Sequence, residues 1–487
     1  MKPVTFSVAI LAALTLALTL SGCMVGPKYA RPSAPVPQAY REPLPDSFKE
    51  TKDWHVAHPE DRKLPAKWWE VFGDSQLNSL EEQVSVANQN LRAAEARFRQ
   101  ARAMIRYNRS AEFPTISTAP TVASVRDSAN RPYFPSTLSG NTGDFVLPFD
   151  LNYELDLWGR VRRSVTAARE ESQASAADLA SATLSMQAEL AYDYFELRSA
   201  DTQNRLLEET VKAYTDAVQL TRNRYEGGAA PKSDLAQAET QLESTRVQYT
   251  DVGVQRAQFE HAIAVLIGRP PANFHLETAP LSLNLEPPAI PVGVPSQLLE
   301  RRPDVASAER RMAETNEQIG IARAAFFPTV TLGLSAGVEG TSLLNVLNWP
   351  SRFWAVGPML AQTLFDGGRR RAVSESAQAG YDAQVATYRQ TVLDAFQQVE
   401  DNLAALRILE SETKQQHEAV VSAEESLALF TNRYKGGVDD YLSVITAQTT
   451  ALSNQRNEVD IQRRRIDATV LLIKALGGSW NVSQLPT

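Results

Sequence analysis

The chain has 487 residues, and its 57 acidic against 49 basic side chains argue against a nucleic-acid partner. Its hydrophobic content of 43% is typical of folded proteins, and beyond the N-terminus no apolar run is long enough for a membrane-spanning helix. A chain of this length has room for more than one domain.

The first residues have the pattern of a bacterial lipoprotein signal. Lys2 precedes an apolar stretch from Val4 to Leu20, and Leu20-Ser21-Gly22-Cys23 matches the lipobox. We predict a signal peptide over 1–22 and lipidation of Cys23, the only cysteine, whose acyl chains would anchor the mature chain on a membrane. Met24 stands where an aspartate would signal retention in the inner membrane, so the outer membrane is expected. The alternative is a plain signal peptide with an incidental cysteine.

Residues 23–76 should form a lipidated, extended segment, because prolines recur through its first half. Packing should begin at Trp68-Trp69, and Asp74 is a candidate helix N-cap. A helical pattern over 77–109 follows, and it should end before Phe113-Pro114-Thr115.

Alternation of apolar and polar residues predicts β-strands at about 115–126, 145–158, 329–339 and 353–365. In the second strand, one parity carries Leu147, Phe149, Leu151, Tyr153, Leu155 and Leu157. Strands of about ten residues with one apolar face fit a transmembrane β-barrel, although a soluble β-domain would show the same periodicity. Four strands cannot close a barrel, and open edges are not tolerated in lipid. We therefore expect three copies of the chain to share one twelve-stranded barrel.

A six-residue motif occurs twice, as Asn223–Gly228 and as Asn432–Gly437, 209 residues apart. Upstream of each copy, apolar residues recur at alternating steps of four and three residues, which is the spacing of a coiled-coil seam. Glycine adopts the left-handed conformation of a helix C-cap without steric cost, so each motif should end a helix. We predict two antiparallel helical hairpins with tips at 225–228 and 434–437.

The repeated motif indicates two structural repeats, 77–268 and 301–478, each with a helix, two strands and a helical hairpin. A proline-rich connector, 269–300, joins them, and 479–487 forms a C-terminal tail. The first helix of each hairpin should begin near Arg160 or Arg369 and reach about 99 Å at 1.5 Å per residue. A lone helix of this length is not stable, so we expect the helices of several copies to form a cylinder.

Two basic clusters stand where strand should become helix: Arg160, Arg162 and Arg163, and Arg369, Arg370 and Arg371. Cations are unfavourable at a helix N-terminus because of the helix dipole, so a compensating charge is expected. Lipid phosphates or the nearby acids Asp156 and Asp366 could provide it, and both alternatives stay open.

Several segments, in the same order along nearly the whole mature chain, resemble the TolC-like outer membrane factors of bacterial efflux, in particular their OprM-like lipoprotein branch. The matching segments are Leu20 to Cys23, Val25 to Tyr29, Trp68-Trp69, both Phe-Pro-Thr segments, Arg301 to Asp304, Tyr434 to Leu442, and Ala475 to Gly478.

The resemblance implies a mainly α-helical homotrimer with β-strands in the outer membrane. A twelve-stranded β-barrel, with four strands per protomer, would be continued by a long periplasmic α-helical barrel with a small mixed domain around its waist. Such a channel passively conducts small molecules, and its tip docks to a periplasmic adaptor and to an inner-membrane pump of the resistance-nodulation-division (RND) type. Outer membrane lipid is a further partner.

The resemblance also directs attention to the tip turns, which contain Arg224, Tyr225, Gly227, Gly228, Arg433, Tyr434, Gly436 and Gly437. In OprM-like proteins, a leucine and an aspartate after the second turn narrow the closed pore. The leucine falls on Leu442, but the aspartate falls on Thr446, which carries no charge. Asp439 and Asp440 lie nearer the tip and are alternative sources of charge, while coiled-coil packing is the alternative role for Leu442.

Other classes of protein fit less well. The sequence has no phosphate-binding loop, no Gly-x-Ser-x-Gly motif and no Cys-His pair, so we expect no enzyme, no catalytic residue, no cofactor and no metal. A scaffold lipoprotein would not need the alternating strands. A TolC-like channel for protein (type I) secretion or for metal-ion efflux remains the alternative function.

Overall fold

The structure is a computed structural model, and it describes residues 24–45, 67–126, 128, 140–281, 288, 290–293 and 295–486. Cys23 and the predicted signal peptide lie outside the described residues. The chain divides into two compact units. One unit comprises Met1–Ser33, Arg97–Ser175 and Ser307–Tyr388, and the other comprises Ala34–Ala96, Ala176–Ala306 and Arg389–Thr487.

The described chain is mainly helical. The helices are α1 (Ser75–Ala87), α2 (Gln89–Ser110), α3 (Arg160–Glu226), α4 (Lys232–Leu266), α5 (Leu298–Arg301), α6 (Pro303–Ala324), α7 (Arg369–Lys435) and α8 (Tyr441–Ala475). The strands are β1 (Thr115–Ser117), β2 (Thr121–Val125), β3 (Thr142–Leu155), β4 (Thr329–Gly340) and β5 (Arg352–Ala361). Both α3 and α7 have 67 residues, and both α4 and α8 have 35. Of the helices in the described ranges, none is both long enough and apolar enough to cross a bilayer.

The helical pattern over 77–109 proves to be two helices, because Asn88 interrupts it. Asn88 has an extended backbone with ψ of 124°. Its side-chain oxygen accepts hydrogen bonds from the N–H groups of Asn90 and Leu91, and its amide donates to the carbonyl of Leu266. An asparagine that caps a following helix in this way favours a new helix start over continuation. Asp74 caps α1, as predicted, by accepting from Gln76 and Leu77.

The five strands form one antiparallel sheet with four strand positions, because β1 and β2 both pair with β3 along the same edge. The single strand expected over 115–126 is therefore interrupted. Pro120 lies in the gap and has no N–H to donate to the ladder, while the Thr118 hydroxyl donates to the Pro148 carbonyl at 2.6 Å. Strand β3 then pairs with β4, and β4 with β5, which leaves β5 as the other edge.

Large apolar side chains on this sheet remain exposed. Trp354 in β5 is 75% exposed, and Phe149, Val356 and Leu360 are also more than half exposed. The described residues do not cover these side chains.

In the unit that contains the sheet, acids close to the helix starts neutralise part of the basic clusters. Arg162 pairs with Asp156 at 3.2 Å and Arg370 with Asp366 at 2.6 Å, which are the pairings predicted as the alternative to lipid. Arg163 is buried against Glu317 at 2.7 Å and also donates to the Pro27 carbonyl.

Candidate functional site at the helical-hairpin tips

The two Asn-Arg-Tyr motifs end α3 and α7 in the same turn geometry. Gly228 and Gly437 have φ angles of +73° and +76°, in the left-handed region. The N–H of Ala229 donates to the carbonyl of Arg224 at 2.7 Å, and the N–H of Val438 donates to that of Arg433 at 2.9 Å. These bonds close a Schellman-type cap, which satisfies carbonyls that a helix end would otherwise leave free.

The helices that follow the two turns begin differently. Helix α8 has Asp440 as its N-cap, and the carboxylate accepts hydrogen bonds from the Ser443 N–H at 3.1 Å and the Ser443 hydroxyl at 2.8 Å. Helix α4 has Pro231 at the corresponding place, without a side-chain cap. Asp440 therefore has a structural partner at the second tip.

Asp439 is held by Arg433 in the same turn. The guanidinium donates from Nε at 2.6 Å and from Nη2 at 3.0 Å, which is a bidentate pair. These hydrogen bonds lower the pKa of Asp439 and keep it ionised. Both acids considered as substitutes for the missing aspartate thus take part in local contacts, which reduces the charge they could present to a pore.

Arg224 occupies the place of Arg433 in the first motif, but it reaches across to the other hairpin. Its Nη1 donates to the carbonyls of Tyr434 at 2.9 Å and Lys435 at 3.2 Å, and its guanidinium lies 4.6 Å from the centre of the Tyr434 ring. A cation at the C-terminal end of α7 is favourable with respect to the helix dipole and joins the two tips.

Apolar residues from both hairpins pack behind the turns. The Tyr434 and Tyr441 rings lie 5.1 Å apart. Burial raises the pKa of Tyr441 to about 12, so its hydroxyl stays neutral. The buried cluster consists of Tyr214, Val218, Ala238, Leu242, Tyr434, Tyr441 and Val444. Tyr225 lies outside this cluster and is partly exposed.

Leu442 lies in a groove between α7 and α8 near the second tip. The groove has a volume of about 340 Å³, and Phe430, Thr446 and Ala447 also line it. The Leu442 side chain is 57% exposed in the single chain, so packing within the protomer does not account for it. The Thr446 hydroxyl donates to the Leu442 carbonyl at 2.9 Å, and no charge is present at that position.

Sequence reasoning missed the different partners of Arg224 and Arg433. A signal for this difference was available, because the residue that corresponds to Asp439 in the first repeat is Ala230. Alanine cannot pair with Arg224 as Asp439 pairs with Arg433, and Arg224 contacts the neighbouring hairpin instead. In the part of the chain that the structure describes, no group of three or more His, Cys, Asp or Glu residues is arranged to hold a metal ion.

Known proteins with similar sequences identify the family of this chain. The model of the outer membrane efflux protein family matches residues 80–269 and 294–478. The chain is 32% identical to the outer membrane protein OprJ of Pseudomonas aeruginosa over 476 residues, which cover 96% of this chain and 95% of OprJ. It is also 32% identical to the probable efflux pump outer membrane protein TtgC of Pseudomonas putida over 473 residues, with the same two coverages.

Solved structures of two outer membrane channels have a similar fold. The outer-membrane channel OprN superposes with a TM-score of 0.84 at 28% identity, covering 94% of this chain and all of OprN. The open state of the Neisseria gonorrhoeae MtrE outer membrane channel superposes with a TM-score of 0.81 at 26% identity, covering 94% of this chain and 98% of MtrE. The chain therefore belongs to the outer membrane efflux protein family.

Proposed function

We propose that this outer membrane efflux protein is the channel of a three-part RND-type pump. It would receive small molecules from a periplasmic adaptor and an inner-membrane pump and conduct them passively to the outside. Related proteins of Pseudomonas putida are named as antibiotic and toluene efflux pump outer membrane proteins, which supports drugs and toxic compounds as the cargo. Energy would come from the pump, so the channel needs no catalytic group.

The sheet carries this proposal. Among the described residues, its four strand positions leave two unpaired edges, and large apolar side chains such as Trp354 remain exposed. Unpaired edges and exposed apolar faces are compatible with lipid only in a closed barrel. Three copies would supply twelve strands, and the outward-facing apolar residues of each copy would meet the lipid.

The helical hairpins would form the wall of a periplasmic tunnel. The equal lengths of α3 and α7, and of α4 and α8, support the proposed repeats 77–268 and 301–478. In this arrangement the tip turns would face the adaptor. The exposed Leu442 would narrow the pore in the closed state, and Thr446 would leave that ring uncharged.

Two features would fix the channel to the membrane. Cys23 would carry acyl chains, which contribute about 0.8 kcal/mol per buried methylene. Arg369 and Arg371 are exposed at the start of α7, where Asp366 pairs with Arg370 instead, so their charges are suited to lipid phosphates. In the second basic cluster, Arg370 thus pairs with an acid of the protein, whereas Arg369 and Arg371 are the proposed lipid contacts.

Native mass spectrometry of the purified, full-length protein in detergent tests the assembly. We expect a complex of three chains, each heavier than its polypeptide by the acyl groups, and expect ion-conducting pores when it is reconstituted into planar bilayers. A Cys23→Ser variant should lose the added mass. A water-soluble monomer without pore activity would contradict the proposal.

A further inference from the structure

A polar trough runs between α3, α4 and α8, away from the tips. It consists of two adjoining recesses of about 430 and 490 Å³, which share Gln203, Arg456 and Asp460. Volumes of this size are typical of small-molecule sites. Apart from a few apolar residues, the lining is made of amide, hydroxyl and charged side chains: Gln241, Ser244, Gln248, Thr449, Ser453 and Asn457 in the first recess, and Glu196, Ser199, Gln255, Gln258 and Arg463 in the second.

The acids beside the trough share one arginine. Arg463 donates to Asp460 at 2.7 Å, to Asp467 at 3.0 Å and to Glu196. Its N–H donors are therefore nearly all used, and the three carboxylates share one cation. Neither Arg463 nor its acids are available to a ligand without breaking this network.

Arg456 makes fewer hydrogen bonds than Arg463 among the described residues. Within the described residues, its one hydrogen bond runs from Nη1 to the Gln248 amide oxygen at 2.7 Å. This contact fixes the guanidinium in a half-buried position, and the remaining N–H donors have no partner there. A planar guanidinium with free donors is suited to bidentate binding of a carboxylate.

The neighbouring polar groups have spare hydrogen-bonding capacity as well. Gln203, Gln255 and Gln258 make no hydrogen bond among the described residues. Ser199 lines the second recess and is 1% exposed, and its hydroxyl has no hydrogen-bond partner in the part of the chain that the structure describes. A buried polar group without a partner is costly, so a bound molecule or water at this place would relieve that cost.

We infer that the trough binds small organic carboxylates, with Arg456 holding the carboxylate and the free amides contacting the rest of the molecule. This inference rests on the proposed efflux function and deepens it, because it names a chemical class of solute that the channel would retain during passage. The expected ligand is anionic and has the size of a drug fragment.

Fluorine NMR of 4-fluorobenzoate added to the purified, full-length protein in detergent tests the inference, with neutral 4-fluorobenzamide as the comparison probe. We expect the protein to broaden the benzoate signal and to leave the benzamide signal sharp. Arg456→Gln should weaken binding at least about tenfold, because a hydrogen-bonded ion pair is lost, and Arg456→Lys should weaken it less.

Arg464→Gln is the matched control. Arg464 is on the same helix, pairs with Glu412 at 3.8 Å and does not line the trough, so this variant should bind like the wild type. Equal broadening of both probes, unchanged binding by Arg456→Gln, or displacement of benzoate by equimolar inorganic phosphate would overturn the assignment. The oligomeric mass of the same samples separates the two proposals: a trimer that does not bind benzoate rejects only the trough, whereas a monomer rejects the channel assembly.

Discussion

Arg224 and Arg433 occupy the same place in two copies of one motif, yet their surroundings give them different tasks. Arg433 neutralises Asp439 in its own turn, whereas Arg224 caps the end of α7 and lies against the Tyr434 ring. Ala230 in place of an acid at the first tip is one sequence difference that fits these partners. A repeat in the sequence therefore conserves the turn while the charges in it diverge.

Glu81 in α1 is a residue whose burial predicts a pH effect. It is 0% exposed, neither carboxylate oxygen has a hydrogen-bond partner among the described residues, and burial raises its pKa well above 4.5. In the unfolded chain the Glu81 carboxyl ionises above about pH 4.5, whereas in the folded chain it stays protonated to a higher pH. The free energy of unfolding therefore falls as the pH rises from about 4.5 towards the folded pKa of Glu81.

We expect Glu81→Gln to remove this pH-dependent loss of unfolding free energy, which is at most about 1.4 kcal/mol per pH unit between the unfolded and folded pKa values. Thermal unfolding in detergent from pH 5 to pH 8 measures it: the midpoint of the wild type should fall with pH more steeply than that of the variant. Glu82→Gln is the control, because Glu82 is exposed and pairs with Lys67. Parallel curves for the wild type and Glu81→Gln would rule out this role for Glu81.

Leu442 provides a test of the proposed constriction. Its side chain is more than half exposed in the protomer, so Leu442→Ala should cost little folding energy but widen the closed pore. We expect the conductance of the reconstituted protein to rise severalfold. Leu429→Ala truncates an equally exposed leucine on α7 and should conduct like the wild type. If Leu442→Ala shows wild-type conductance, the constriction lies elsewhere.

At the scale of the elements, the tip turn depends on one backbone conformation. Gly437 has a positive φ, and a Cβ added there would meet no atom closer than 3.9 Å, so an alanine would be strained without being crowded. The expected cost is about 1–2 kcal/mol. At Gly436 an added Cβ would also make ordinary contacts, but φ is not in the left-handed region.

We therefore expect Gly437→Ala to speed hydrogen exchange of the tip amides about five- to thirtyfold, while Gly436→Ala leaves it nearly unchanged. Mass spectrometry of peptides that span the second tip measures both rates. Equal protection in the two variants would show that the left-handed conformation contributes nothing to the stability of the turn.

The strands and the first helices illustrate how local chemistry divides a predicted element. The pattern over 77–109 has the helical period throughout, but Asn88 starts a second helix. The pattern over 115–126 has the alternation of a strand, but Pro120 interrupts its hydrogen bonding. In both cases one residue outweighs the periodicity around it: the Asn88 side chain caps backbone N–H groups, and Pro120 has no N–H to donate.

At the scale of the whole molecule, the sheet is incomplete in one copy. Its edges, at β1 and β2 on one side and β5 on the other, have no partner strand within the described residues. The family assignment places the chain in the outer membrane. The proposed trimer would satisfy both edges at once, since the edge of one copy would pair with the opposite edge of the next.

Periodicity and turn chemistry determined the fold class from the sequence alone, because alternation, heptad spacing and the glycine turns depend on neighbouring residues only. The same reasoning located the tip motifs, whereas Leu442 was singled out only by the resemblance to OprM-like proteins. Which partners the charged side chains choose could not be read in this way, since Arg224, Arg163 and Arg456 meet groups far away in the sequence. The tertiary structure decided these contacts, because a guanidinium pairs with whatever acceptor packing brings within reach.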